Sequence, residues 1–176
     1  MRSTTAPGSS GDQLLAFAAL LGRSGKVIES EISGTSMGST LPSGRRIRIR
    51  PLSIEEYRCG QVVAFVAGTR LFAHRIIYCS RQGVLTRGDS HSWCDLPVPF
   101  DAILGVVSEC QVNGEWHLLD HGIPFDCEMR KRSHIIESLL RACMQIDIRL
   151  ARRASRILMW LSRWRRQLLG KLVPTR

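Results

Sequence analysis

The first 128 residues contain one lysine, Lys26; the chain's other two are Lys131 and Lys171. A serine nucleophile with lysine as its base would have to use Lys26, ten residues before Ser36, or take one from the tail. A Ser–Lys dyad is therefore nearly excluded. Cysteine occurs six times, at Cys59, Cys79, Cys94, Cys110, Cys127 and Cys143, but never as C-x-x-C. That pattern leaves a zinc ribbon or a thioredoxin-like motif unsupported. No secretory signal precedes them, so they read as reduced thiols of a cytosolic chain. Long hydrophobic runs are also missing. The apolar run near the start, Leu14 to Leu21, falls well short of the roughly 20 residues that cross a bilayer. Asp12 flanks it where a signal peptide would carry a basic cluster.

Acidic residues nearly vanish at the C-terminal end. Residues 129–176 hold 13 Lys+Arg against 2 Asp+Glu, while residues 1–128 hold 12 against 13. The formal charge of +10 therefore belongs to the tail, and any anionic partner meets the tail. A length of 176 residues suits one domain with an appendage. The division read from composition is an N-terminal segment with a short helix (1–25), a β body (26–128) and a basic amphipathic helical tail (129–176).

Ser10-Gly11-Asp12-Gln13 fits a capping box opening a helix that stops near Gly22. Residues 26–33 read as a strand. Arg46-Ile47-Arg48-Ile49-Arg50 alternates strictly, so its arginines form a solvated strand face. A helical turn is expected at 53–58. Residues 61–67 form a strand, Gly68-Thr69 turns it, and 70–79 returns as its hairpin partner. A short strand at 84–86 precedes a loop at 87–99. Residues 103–112 and 115–119 make a second hairpin about Asn113-Gly114, a type I′ signal. This density of strands predicts a mainly β body built on a closed or coiled sheet.

The candidate chemistry begins at Gly34-Thr35-Ser36-Met37. A serine hydroxyl needs a base, and His74, in the middle of an expected strand, is the best placed of five histidines. His117 and His121, with Asp120 and Cys127, could suggest a metal site. They fall at a strand end, where i,i+4 spacing does not bring side chains together, so no metal or cofactor is expected.

The ordered blocks are G-T-S-M, G-x-V-V-x-F (from Gly60), A-H-R-I (from Ala73), T-R-G-D-x-x-x-x-x-D (from Thr86) and I-L-G-x-V (from Ile103). Together they resemble the type I signal peptidase family, in particular the endoplasmic reticulum and archaeal branch where His replaces Lys. They are also similar to the LexA-type self-cleaving peptidases of related fold. The resemblance covers about residues 30–107. It implies a mostly β, coiled-sheet domain and a serine endopeptidase that removes a leader or signal segment from a peptide or protein. Ser36 matches the nucleophile and His74 the base. Asp95 is the favoured orienting carboxylate, and Asp89 a structural or alternate one. Gly34, Thr35 and Met37 fall on the substrate-binding turn, with Met37 packing into the body. Three positions depart from the family: Ser39 replaces a proline, Gln61 an aspartate, and Gly34 a serine whose hydroxyl would assist the oxyanion. The resemblance leaves two alternatives, a catalytically degenerate peptide-binding or membrane-surface module and a self-cleaving regulator. The second is weakened by the absence of a helix-turn-helix ahead of the β body.

In the tail, Leu139, Cys143, Ile146, Leu150, Ala154, Ile157, Leu161, Trp164, Leu168 and Leu172 form one apolar stripe at helical spacing. Trp160, Arg163, Trp164 and Arg166 are its candidate contacts with an anionic membrane surface. The stripe and tryptophans favour a membrane or protein partner over nucleic acid. The expected location is cytoplasmic, with peripheral attachment to the inner face of the membrane through this tail.

Overall fold

The structure, a computed structural model, describes residue 20, residues 25–121 and residues 134–158. Most of the N-terminal segment lies outside this range, as do Trp160, Arg163, Trp164 and Arg166. The body is one antiparallel sheet of eight strands: β1 (Ile28–Glu31), β2 (Arg46–Arg50), β3 (Val62–Ala67), β4 (Arg70–Cys79), β5 (Gly83–Arg87), β6 (Val98–Pro99), β7 (Ile103–Val112) and β8 (Glu115–Leu118). Their order is β1-β2-β7-β3-β4-β5-β6, with β8 also on β7. Ten residues long, β7 gives one edge to β2 and shares the other between β3 and β8.

Both faces of the sheet are covered. Along β3, Val62, Ala64 and Val66 enter one apolar cluster with Met37, Leu41, Ile47, Ile49 and Val107. Val63 and Phe65 enter a second, with Tyr57, Ile76, Val84 and Ile103. Two-sided burial is why this segment is a continuous apolar run rather than an alternating one. Register shifts at Arg48/Ile49, Ala64/Phe65 and Ile76/Tyr78 bend the sheet. The Asn113-Gly114 turn has positive φ at both residues (52° and 90°), as a type I′ hairpin requires. The arginine face of β2 is satisfied internally: Arg46 and Arg48 bond Glu29, Arg48 also bonds Glu109, and Arg48 lies 4.0 Å over the Trp116 ring.

Two features differ from the sequence reading. The segment 87–99 is not all loop, because Val98–Pro99 pair with Gly83 and Val84 as β6. The tail is not one helix with one stripe. Helix α1 (His134–Ile146) ends at Asp147, and a second helical stretch, α2, covers 148–158. Asp147 Oδ1 accepts the Arg149 N–H at 2.6 Å, and Gln82 Oε1 takes the Ile148 N–H at 2.8 Å. Those bonds cap a new helix rather than continue the old one. The buried row is Leu140, Met144, Ala151 and Ser155, with Leu85 of β5 beneath it. Of the apolar stripe read from sequence, Leu139, Ile146, Leu150 and Ile157 are exposed, while Cys143 and Ala154 pack partly against the buried row. Among the described residues, no helix is long and apolar enough to cross a membrane.

His121 anchors the start of β3, its Nδ1 accepting the Val62 N–H at 3.3 Å. Burial lowers its pKa first and the charge of Arg75 next. A histidine held neutral in the fold destabilises it on protonation. Stability is therefore full above the unfolded value near 6.5 and falls as pH drops below it. Asn at this position can accept the same N–H without titrating. His121→Asn is expected to flatten the dependence of the urea midpoint between neutral and mildly acidic pH; an unchanged slope would contradict this assignment.

Candidate active site

Ser36 sits on the turn that follows β1. The turn is closed by Gly38 N–H to Thr35 O and Thr40 N–H to Met37 O, both 3.1 Å. Gly38 adopts φ of +53°, and a Cβ there would lie 2.7 Å from Ser90 Oγ, so a side chain at this position would be strained and would displace the Ser90 hydroxyl. Met37 is 2% exposed and belongs to the first apolar cluster. Its side chain therefore anchors the turn in the body, the packing expected of the residue after the serine. Gly34 and Thr35 are exposed. The Gly34 N–H donates to Ser43 Oγ at 3.2 Å.

Alternation along β4 separates two neighbouring side chains. His74 pairs with Val63 across the hairpin and meets Phe65 and Phe72 on the face of the second cluster, at centroid distances of 5.9 Å. Arg75, the next residue, points to the opposite face. His74 is 3% exposed, and its Nε2 lies 2.9 Å from Ser36 Oγ. Its Nδ1 lies 2.7 Å from Asp95 Oδ2. An ionised carboxylate only accepts, so Nδ1 carries the proton and Nε2 is left to accept from the Ser36 hydroxyl. Thr86 Oγ1 donates to the same Asp95 oxygen at 2.8 Å, and the Asp95 N–H donates to Thr86 O at 2.8 Å. Thr86, fully buried on β5, thus sets Asp95 at two points.

Asp89 is not the carboxylate bonded to His74. It takes Arg75 in a two-point pair, Nε to Oδ1 at 2.9 Å and Nη2 to Oδ2 at 2.8 Å, and accepts Thr40 Oγ1 at 2.7 Å. Arg75 Nη1 bonds Gly60 O at 2.7 Å. This buried cluster ties the far end of the serine turn to β4 and to the loop before β3. The two carboxylates of the T-R-G-D-x-x-x-x-x-D block therefore have separate tasks: Asp95 faces the histidine and Asp89 holds the arginine. Ser90 N–H to Ser36 O, 2.9 Å, joins the two loops directly.

Thr86, Arg75 and Thr40 are the residues that sequence reasoning left without a role. Thr86 and Arg75 lie inside the quoted blocks, but nothing in one sequence distinguishes a threonine that holds a carboxylate from one that fills a strand. Cys94, beside Asp95, is not a rival nucleophile: burial, with Glu137 adding to it, pushes its thiol up to about 11. Among the described residues, no group of three His, Cys, Asp or Glu side chains could hold a metal ion. An open cleft of about 590 Å³, lined by Tyr78, Ser80, Gln82, Met144 and Gln145 among others, lies between the β4–β5 turn and α1 and includes none of the Ser36, His74 and Asp95 side chains.

Neither a scan against models of known protein families nor a search of curated proteins gives a match to this chain.

Proposed function

We propose that this chain is a serine endopeptidase that cleaves a leader or signal segment from a peptide or protein, in the manner of the histidine-type signal peptidases its sequence blocks resemble. The observation that carries the reading is the relay Ser36 Oγ to His74 Nε2 to Asp95 Oδ2, at 2.9 and 2.7 Å. Three groups from three separate segments converge in the order that activates a hydroxyl.

In the proposed reaction the Ser36 oxygen attacks the scissile carbonyl as His74 Nε2 takes its proton. Asp95 stabilises the imidazolium and keeps the ring in place. His74 then returns the proton to the leaving amine. Water attacks the resulting acyl-Ser36 ester with His74 again as base, releasing the acid and restoring Ser36. The Ser36 N–H, which no described residue accepts, is the available oxyanion donor, and Gly34 supplies no hydroxyl beside it. An oxyanion donor elsewhere is worth about 10²–10³ in rate, so a modest turnover is expected. An extended substrate would bind as an added strand, with main-chain bonds giving affinity.

The test is cleavage of a mixed pool of leader-bearing peptides, read by mass spectrometry, with the intact mass of the enzyme followed in parallel. Defined cuts that disappear in Ser36→Ala support the reading. Cuts that persist in Ser36→Ala, or no cuts by folded protein, overturn it, and a shortened enzyme mass points to self-cleavage.

Gly88 offers a finer check. A Cβ there would stand 2.6 Å from Ser36 O and 3.1 Å from Ser36 Cβ. Backbone cannot yield as a flexible side chain does, so Gly88→Ala pushes the serine turn away from His74. Displacements of that size cost on the order of 10² in rate. Peptide cleavage should fall about that far; wild-type rates in Gly88→Ala would mean that the contact does not position Ser36.

A further inference from the structure

We infer that the outer face of α1 and α2 docks on an anionic lipid surface. The two helices carry two apolar rows. One, Leu140, Met144 and Ala151, is covered by the sheet. The other, at Leu139, Ile146, Leu150 and Ile157, is 48%, 73%, 44% and 58% exposed. Within each helix the two members lie seven residues apart, Leu139 and Ile146 on α1 and Leu150 and Ile157 on α2, so each pair keeps to one side of its own helix, away from the covered row. Isolated exposed leucines are ordinary, whereas an aligned row on one helical face is a contact surface.

Charge identifies the occupant. Arg149, Arg153 and Arg156 are exposed beside the apolar row. The two acidic residues of 134–158 do not offset them: Glu137 is paired with Arg141, and Asp147 is the cap of α2. An apolar groove on another protein would cover the row but leave three arginines to be matched. Nucleic acid would match the arginines and leave the row in water. An anionic bilayer surface takes both, the side chains sinking to the acyl boundary and the guanidinium groups meeting lipid phosphates. The net charge of the whole 129–176 segment, 13 basic residues against 2 acidic, adds to the same attraction. The covered row shares its cluster with Cys94, the neighbour of Asp95.

The experiment is co-sedimentation of the full chain with phosphatidylcholine vesicles, with and without phosphatidylglycerol. Wild type is expected to pellet only with the anionic vesicles, and less at high salt. Each arginine near the surface is worth roughly fivefold, so Arg149→Gln/Arg153→Gln/Arg156→Gln should weaken binding about 100-fold. Ile146→Ser/Leu150→Ser should abolish it. Both variants alter exposed side chains, so their thermal midpoints should match wild type. Equal binding to neutral vesicles, or variants that bind as wild type does, would overturn the inference. So would a concentration-dependent dimer lost in Ile146→Ser/Leu150→Ser, or tighter binding to a DNA oligonucleotide than to vesicles. None of these outcomes depends on whether Ser36 is catalytic.

Discussion

Asp95→Asn is expected to lower the rate of Ser36-dependent cleavage by about 10⁴-fold while leaving the fold intact. The loss comes from the imidazole tautomer and its charge. Asp95 Oδ2 receives both the His74 Nδ1–H and the Thr86 hydroxyl. An asparagine turned with its NH₂ toward Nδ1 makes that nitrogen the acceptor and moves the ring proton to Nε2. His74 then faces Ser36 with a donor and cannot take its proton. With the amide oxygen in place the tautomer survives, but the charge that stabilises imidazolium is gone. Folding should be little affected, because the Asp95 side chain is 23% exposed and asparagine keeps its shape. The measurement is kcat and KM on whichever peptide the wild type cuts: kcat should collapse with KM nearly unchanged. A loss under tenfold would remove Asp95 from the reaction.

Asp89→Asn should do the reverse, destabilising the fold by about 3–5 kcal/mol, the usual cost of removing one partner from a buried ion pair. Arg75 and Asp89 side chains are 4% and 11% exposed. Their bonds reach Thr40, Gly60 and β4 together, so an unmatched guanidinium would sit at the junction of three segments. Urea unfolding measures the loss. Replacing both partners by apolar residues, as in Arg75→Met/Asp89→Leu, should cost far less than the sum of the single changes, because the penalty lies mainly in the stranded charge. Additive costs would mean that the pair is not coupled. Since Asp95→Asn predicts an inactive but stable protein and Asp89→Asn an unstable one, the two carboxylates can be separated by stability alone.

Much of the sheet was legible because its signals are local. Strict alternation marked β2, Gly68-Thr69 and Asn113-Gly114 marked the hairpins, and β4 and β7 fell where apolar runs met turn residues. The two-residue β6 was hidden because Pro97 and Pro99 make its segment read as loop. The convergence of Ser36, His74 and Asp95 was expected from ordered blocks, not from any one residue. Asp89 stayed ambiguous, since an acidic residue after glycine looks the same whether it faces a histidine or an arginine. The tail was legible only in part, for a physical reason. It has two apolar rows, periodicity alone does not say which row the sheet covers, and the break at Asp147 depends on Gln82, 65 positions earlier in the chain.

The most direct test of the central claim is covalent labelling by a serine-reactive probe, read as a mass adduct on the tryptic peptide 27–45, which contains Ser36. Labelling of wild type that is lost in Ser36→Ala and in His74→Ala is the predicted result, because only a hydroxyl whose proton His74 can take is nucleophilic at neutral pH. Folded wild type that stays unlabelled across several probe chemistries, or His74→Ala labelled as fast as wild type, would contradict the account.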